Sequence, residues 1–170
     1  MKHIYTLILL SISLSCNNHA PKIIGKTERE NEPAIYQVEA GDMAMNNAIE
    51  QARKTLDTFK KALQSQDTNY SSFELKQAFV KPDGGNEHIW IDDIKLKDGK
   101  YIGIVSNKPD RTTEVKEGDT VEVKNDKISD WMFLENGKLR GGYTIRVLRN
   151  AMSPAEKKQF EKESGLIIED

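Results

Sequence analysis

The sequence predicts an α+β domain: a long N-terminal helix packed on an antiparallel sheet of about six strands, followed by a short C-terminal helix. Three observations lead there. From Met45 to Leu63 apolar residues recur at spacings of 4, 3, 4, 3 and 4, which is one face of a helix. From Phe73 the period drops to two, with Phe73, Leu75 and Phe79 on one side and Glu74 and Lys76 on the other. Turn signals then punctuate the chain at hairpin spacing. The 170 residues suit one domain rather than two. With 37% hydrophobic and 31% charged residues the chain can bury a core, which a wholly disordered chain cannot.

The N-terminus reads as an address. Met1-Lys2-His3 is weakly positive, and Ile4 to Leu14 is apolar apart from Thr6, Ser11 and Ser13. That run is shorter than the ~20 apolar residues of a spanning helix and has the size of a signal-peptide core. Residues 1–15 are therefore expected to be a signal peptide. Ser13-Leu14-Ser15-Cys16 resembles a lipobox, with Ser13 where Leu is usual, so Cys16 is the expected lipidation site. It is the only cysteine, so it cannot staple the domain internally. Plain export with cleavage nearby is the alternative. Residues 16–41 are polar and aperiodic, and read as a lipidated Cys followed by a tether, with a short edge strand available at Ile35, Tyr36 and Val38.

The single domain is expected over 42–170. Asp42 is a good N-cap for a helix from Met43 to about Gln64, roughly 33 Å long at 1.5 Å per residue. Pro82-Asp83-Gly84-Gly85 is a turn. Glu87 to Leu96 and Tyr101 to Asn107 form a hairpin around Lys97-Asp98-Gly99-Lys100. A polar loop begins at Asn107-Lys108-Pro109, because Pro109 cannot donate to a ladder. Strands follow at Thr120 to Val123 and Ile128 to Leu134, and Asn136-Gly137 signals another hairpin. Tyr143, Ile145 and Val147 alternate with Thr144 and Arg146, which predicts a last strand. Ser153-Pro154-Ala155-Glu156 is a capping box that opens the final helix, and Gly165 closes it.

The charges limit the chemistry. Lys plus Arg number 25 and Asp plus Glu 27, interspersed along the chain, so no basic face argues for nucleic acid. His88 is the one histidine of the predicted domain, and that domain has no cysteine. This removes Cys- or His-rich zinc sites and thiol nucleophiles. No phosphate loop or dinucleotide fingerprint occurs, so no cofactor is expected and no metal site is assigned. His88 and Trp90, two apart on a strand, share a face. His88 could act as a general base oriented by Asp130 or Asp92, or simply pack beside Trp90. Asp130 could accept backbone N–H bonds at a turn while Trp131 fills the core. Alternatively Trp90 and Trp131 could flank a groove.

These residues also carry a family resemblance. Glu87-His88-x-Trp90, Gly103, Asn107-x-Pro109, Gly118-Asp119-x-Val121 and Ile128-x-Asp130-Trp131-Met132 occur in that order. The string resembles the bacterial family filed as domain of unknown function 2314. Asp42, Met45, Ala48, Ala52-Arg53-x-Thr55-Leu56 and Phe59 resemble its YegJ-like branch. The resemblance covers about residues 42 to 150 and implies no activity, cofactor or catalytic residue. The expectation is therefore an exported, lipid-anchored cell-envelope protein, on the periplasmic or outer-membrane face, with a non-catalytic binding domain. Its partners would be the membrane, through the lipid on Cys16, and a protein or other envelope ligand. The candidate binding surface is His88, Trp90, Asn107, Asp130 and Trp131, and no catalytic residue is assigned. The alternatives are a small hydrolase-like enzyme using His88 and Asp130, or an immunity- or inhibitor-type protein.

Overall fold

The computed structural model describes residues 20–29 and 32–169. Cys16 and the expected signal peptide lie outside the described residues. The described part of residues 16–41, read as a tether, contains a hairpin. Strands β1 (Ile23–Arg29) and β2 (Glu32–Val38) pair as an antiparallel hairpin separate from the main sheet. That hairpin includes the short strand expected at Ile35, Tyr36 and Val38.

Asp42 then caps α1 (Met43–Lys54), its carboxylate accepting the Met45 N–H at 2.8 Å. The single long helix expected to run to Gln64 is two helices, because α2 (Leu56–Ser65) starts after a break at Thr55. The cause is local. The Trp131 indole donates to the Ala52 carbonyl at 2.9 Å, where the next helical N–H would bind. The Thr55 hydroxyl donates back to the Gln51 carbonyl at 2.7 Å. Such insertions into the hydrogen-bond ladder bend helices.

The main sheet holds β3 (Tyr70–Val80), β4 (Asn86–Lys97), β5 (Lys100–Val105), β6 (Thr120–Val123), β7 (Ile128–Glu135) and β8 (Lys138–Gly141). Their order is β6-β5-β4-β3-β7-β8, every neighbour antiparallel. The expected strand count holds, but its membership differs. Residues around Tyr143 to Val147, read as a strand, form helix α3 (Tyr143–Asn150), and β8 is the sixth strand. Helix α4 (Pro154–Ser164) has the full capping box, Ser153 with Glu156, and ends at Gly165 with φ +68°. Among the described residues no helix is long and apolar enough to cross a membrane.

Strand alternation divides the sheet into two faces. On the first, Leu75, Phe79, Ile89, Ile91, Tyr101, Val105, Trp131 and Phe133 pack against Ala52, Phe59 and Ala62 of α1 and α2. The Trp131 and Phe133 rings stack at 5.9 Å, and Phe59 lies 6.0 Å from Trp131. On the second face Met132, Leu139, Ile145 and Ile168 form a smaller cluster, joined by Trp90, Leu134, Phe160 and Leu166. The register sets Asp130 beside Lys76, and Lys76 beside Trp90, across three strands of that second face.

Candidate functional site

Each candidate residue has its place set by backbone geometry. Asp130 and Trp131 are adjacent on β7, so their side chains leave opposite faces of the sheet. Trp131 is 2% exposed and belongs to the core. It therefore does not line a surface with Trp90, which corrects that part of the candidate site. Asp130 is fully buried on the second face. Its carboxylate accepts the backbone N–H groups of Trp131 (2.8 Å), Tyr143 (3.1 Å) and Thr144 (2.8 Å), and the Thr144 hydroxyl (2.6 Å). Two of these are first-turn donors of α3, whose own N-cap, Gly142, has no side chain to supply. Asp130 thus caps that helix from a neighbouring strand. Burial pushes its pKa up, while the donors and the Lys76 ammonium oppose that shift. Four donors and no acceptor around the group fit the ionised carboxylate.

Lys76 was not singled out in the sequence, yet it is central here. Its ammonium lies 5.1 Å from the centre of the Trp90 ring and 3.3 Å from the Thr144 hydroxyl. Burial lowers its pKa, and Asp130 opposes the shift. No periodicity argument finds such a residue, because a lysine on the polar side of an alternating strand reads as solvated surface.

His88 and Trp90 share the second face, as the alternation predicts. Trp90 is half-buried. The Asn107 side-chain carbonyl accepts its N–H at 3.4 Å, and the Ser106 hydroxyl donates to its carbonyl at 3.0 Å. Asn107 therefore fixes the strand end behind Trp90. His88 is exposed, and opposite it on β3 stands only Ala78. Protein crowding the imidazole, then Lys76, then Arg53, lower its pKa to about 4. Water screens part of this at an exposed ring, but the direction leaves it neutral at pH 7. A carboxylate beside it would have pulled the other way. The structure therefore does not pair His88 with Asp130, whose oxygens are already taken up at α3.

Other residues of the recognised string have structural jobs. The Glu87 carboxylate accepts the N–H groups of Asp110 (2.7 Å), Arg111 (2.9 Å) and Thr112 (2.7 Å), which ties the loop after Asn107 to β4. A Cβ on Gly103 would lie 2.5 Å from the Asp92 carbonyl, where the β4 bulge crosses β5. Above the Lys76–Trp90 pair, Glu74 and Asp92 are cross-strand neighbours, one step beyond the Leu75–Ile91 pair. Burial, with Asp92 second, raises the Glu74 pKa to about 7. Among the described residues no group of three or more His, Cys, Asp or Glu side chains is placed to hold a metal ion.

Comparison with known proteins agrees with the recognised string. A family model described as an uncharacterized protein conserved in bacteria, DUF2314, matches residues 42–168. A Neisseria meningitidis serogroup B protein, named as an ankyrin repeat protein, is 39% identical over 148 residues, covering 82% of this chain and 58% of that protein. The uncharacterized Escherichia coli K12 protein YegJ is 38% identical over 102 residues, covering 60% of this chain and 65% of its own length. The chain thus spans less than two-thirds of either relative. No solved structure matches it.

Proposed function

The chain belongs to the uncharacterised bacterial family DUF2314, and from that premise we propose an exported, lipid-anchored envelope protein whose domain binds a ligand without transforming it. The anchor is the thioether-linked lipid expected on Cys16, preceded by the apolar run Ile4 to Leu14. The ligand-facing surface is the second sheet face at the open end of β4, where His88 and Trp90 meet the loop that starts at Asn107. One observation carries the binding reading. The other chemistry-bearing candidates are taken up in building the domain, whereas His88 is exposed and no hydrogen bond among the described residues holds its ring. An exposed imidazole beside a half-buried tryptophan and a lysine is a compact set of anchors for recognition.

The hydrolase reading asks Asp130 to orient His88. Its oxygens are occupied by four donors from β7 and α3, and the imidazole pKa is lowered by burial first and then by two cations, with no carboxylate acting on it. Two experiments test the proposal. Cells fed a palmitate analogue should label the wild-type chain and not Cys16→Ala; equal labelling of both refutes the anchor. A photo-crosslinking residue at position 88 should give a discrete adduct in intact cells, and the same residue at Lys97, in the exposed β4–β5 turn, should not. Equal or absent adducts at the two positions refute the binding surface.

A further inference from the structure

Three exposed apolar residues meet where the chain enters the fold. The Asp42 carboxylate caps α1 with one oxygen and accepts the Lys22 N–H on the other at 2.8 Å. The Glu39 N–H donates to the Lys22 carbonyl at 2.9 Å, and the two side chains pair at 2.7 Å. Lys22 is thus fastened to the first turn of α1, with Ile23 and Ile24 directly after it and Met43 opening the helix. Ile23 is 37% exposed, Ile24 60% and Met43 65%. The backbone projects Ile24. Ile23 pairs with Val38 and Gly25 with Gln37, so Ile24 is the extra residue of a β-bulge, a device that re-aims a side chain. Single apolar residues at a surface need no explanation, but these three share one corner. Val80, at the end of β3, and Ile167, beside β8, are the other large apolar residues exposed to a like extent among the described residues.

The chain before this corner says what covers it. Seven residues separate Cys16 from Ile23, and that length of extended chain spans at most roughly 25 Å. A lipid on Cys16 therefore holds the corner within that distance of a bilayer. The charges beside it cancel, Lys22 and Lys26 against Glu39 and Asp42. We propose that Ile23, Ile24 and Met43 form a membrane-contact patch that inserts into the interfacial layer of the bilayer holding the Cys16 lipid. The inference rests on the anchor proposed above and adds a second point of attachment. Apolar side chains buried at the interface add to the hold of an acyl chain, and a balanced charge leaves the contact indifferent to anionic lipid. The ligand face stays clear of it. Arg53, at the far end of α1 and roughly 15 Å along the axis from Met43, donates to the Ile128 carbonyl at 2.7 Å. Ile128 pairs with Gln77, next to the Ala78 that stands opposite His88.

The test uses the lipid-modified full chain in phosphatidylcholine vesicles, with and without phosphatidylglycerol. The lipid occupies Cys16, so one introduced cysteine takes a polarity-sensitive fluorophore, in Ile24→Cys, Met43→Cys or, as the control in the β4–β5 turn, Lys97→Cys. Flotation with the vesicles is scored first. The expected result is blue-shifted emission at positions 24 and 43, quenched by lipids brominated near the headgroup, with position 97 as in water. Quenching should be equal in both vesicle types. Replacing Ile23 and Ile24 together, Ile23→Ser with Ile24→Ser, should reverse the shift at position 43 while the chain still floats and keeps its urea midpoint. A chain that floats with water-like emission at 24 and 43 overturns the patch and leaves the anchor standing. A chain that fails to float removes the anchor and the patch with it. Quenching that requires phosphatidylglycerol also overturns the inference, because charge rather than apolar insertion would then hold the corner.

Discussion

Asp130 shows how one buried carboxylate can hold several parts of a fold together. It sits within β7, caps α3 and faces the Lys76 ammonium. Replacing it with Ala leaves two first-turn N–H groups and a buried cation without their partner. Breaking such an arrangement costs about 3–5 kcal/mol. Asp130→Ala should therefore lower stability by roughly that amount in urea denaturation, with α3 amides losing exchange protection first. If the loss stays below about 1 kcal/mol, the carboxylate is not the cap described. Glu74 gives a prediction of opposite sign. Its folded pKa of about 7 lies above the ordinary 4.5, so the folded state holds the proton more tightly. Its contribution is fully favourable below about 4.5 and is lost as pH rises through 7. Glu74→Gln should remove that loss and raise stability at pH 8 by about 1–3 kcal/mol, with little change at pH 4. A variant whose stability tracks wild type across this range would show that Glu74 is solvated and unperturbed.

At the scale of elements, the sequence could be read wherever one period dominated. The β4–β5 hairpin, the capping box of α4 and the apolar stripe over 45–63 all follow from local rules. The two misreadings share a cause, which is a partner distant in sequence. The stripe continues across Thr55, but Trp131, 76 residues away, takes the Ala52 carbonyl and its indole also reaches the Thr55 hydroxyl. Tyr143, Ile145 and Val147 do alternate, yet Ile145, Leu148 and Met152 are also spaced as a helix, and Asp130 decides between the two readings. The site was legible in the same measure. His88 and Trp90 share a face, as any strand requires. Trp131 could not be assigned to core or surface without the sheet, and Lys76 gave no signal at all. Gly141 tests the helix decision. It has φ +71°, and a Cβ there would lie 2.3 Å from the Trp131 carbonyl and 2.5 Å from its ring. Gly141→Ala should cost about 2–4 kcal/mol and shift Trp131 fluorescence, since neither backbone nor indole can yield cheaply. An unchanged melting temperature and spectrum would mean the β8–α3 turn is looser than drawn.

At the scale of the whole molecule, the six-stranded sheet has two edges, β6 and β8, and they are treated differently. Along β6 the edge is four residues long and carries Glu122 paired with Lys100 and Lys124. A short, charged strand is a poor template for another chain. Along β8 the edge is covered by the chain's own last residues. The Leu139 N–H donates to the Ile167 carbonyl at 2.9 Å, and Arg146 Nη1 donates to the Glu169 carbonyl at 2.7 Å. Lys138 pairs with Glu169 at 2.6 Å, and Ile168 fills the second-face cluster with Met132, Leu139 and Ile145. That cluster also supports Trp90, so this cover stands behind the proposed binding face. Deleting residues 166–170 would uncover both the β8 backbone and the apolar patch. The transfer term for Leu166 and Ile168 and the lost hydrogen bonds together predict about 3–5 kcal/mol of destabilisation. The uncovered edge should also drive concentration-dependent association, visible by light scattering. Ile168→Asp, which keeps the backbone cover, should destabilise without inducing association. Should both variants remain monomeric and as stable as wild type, the tail would be an appendage rather than the wall on which Trp90 rests.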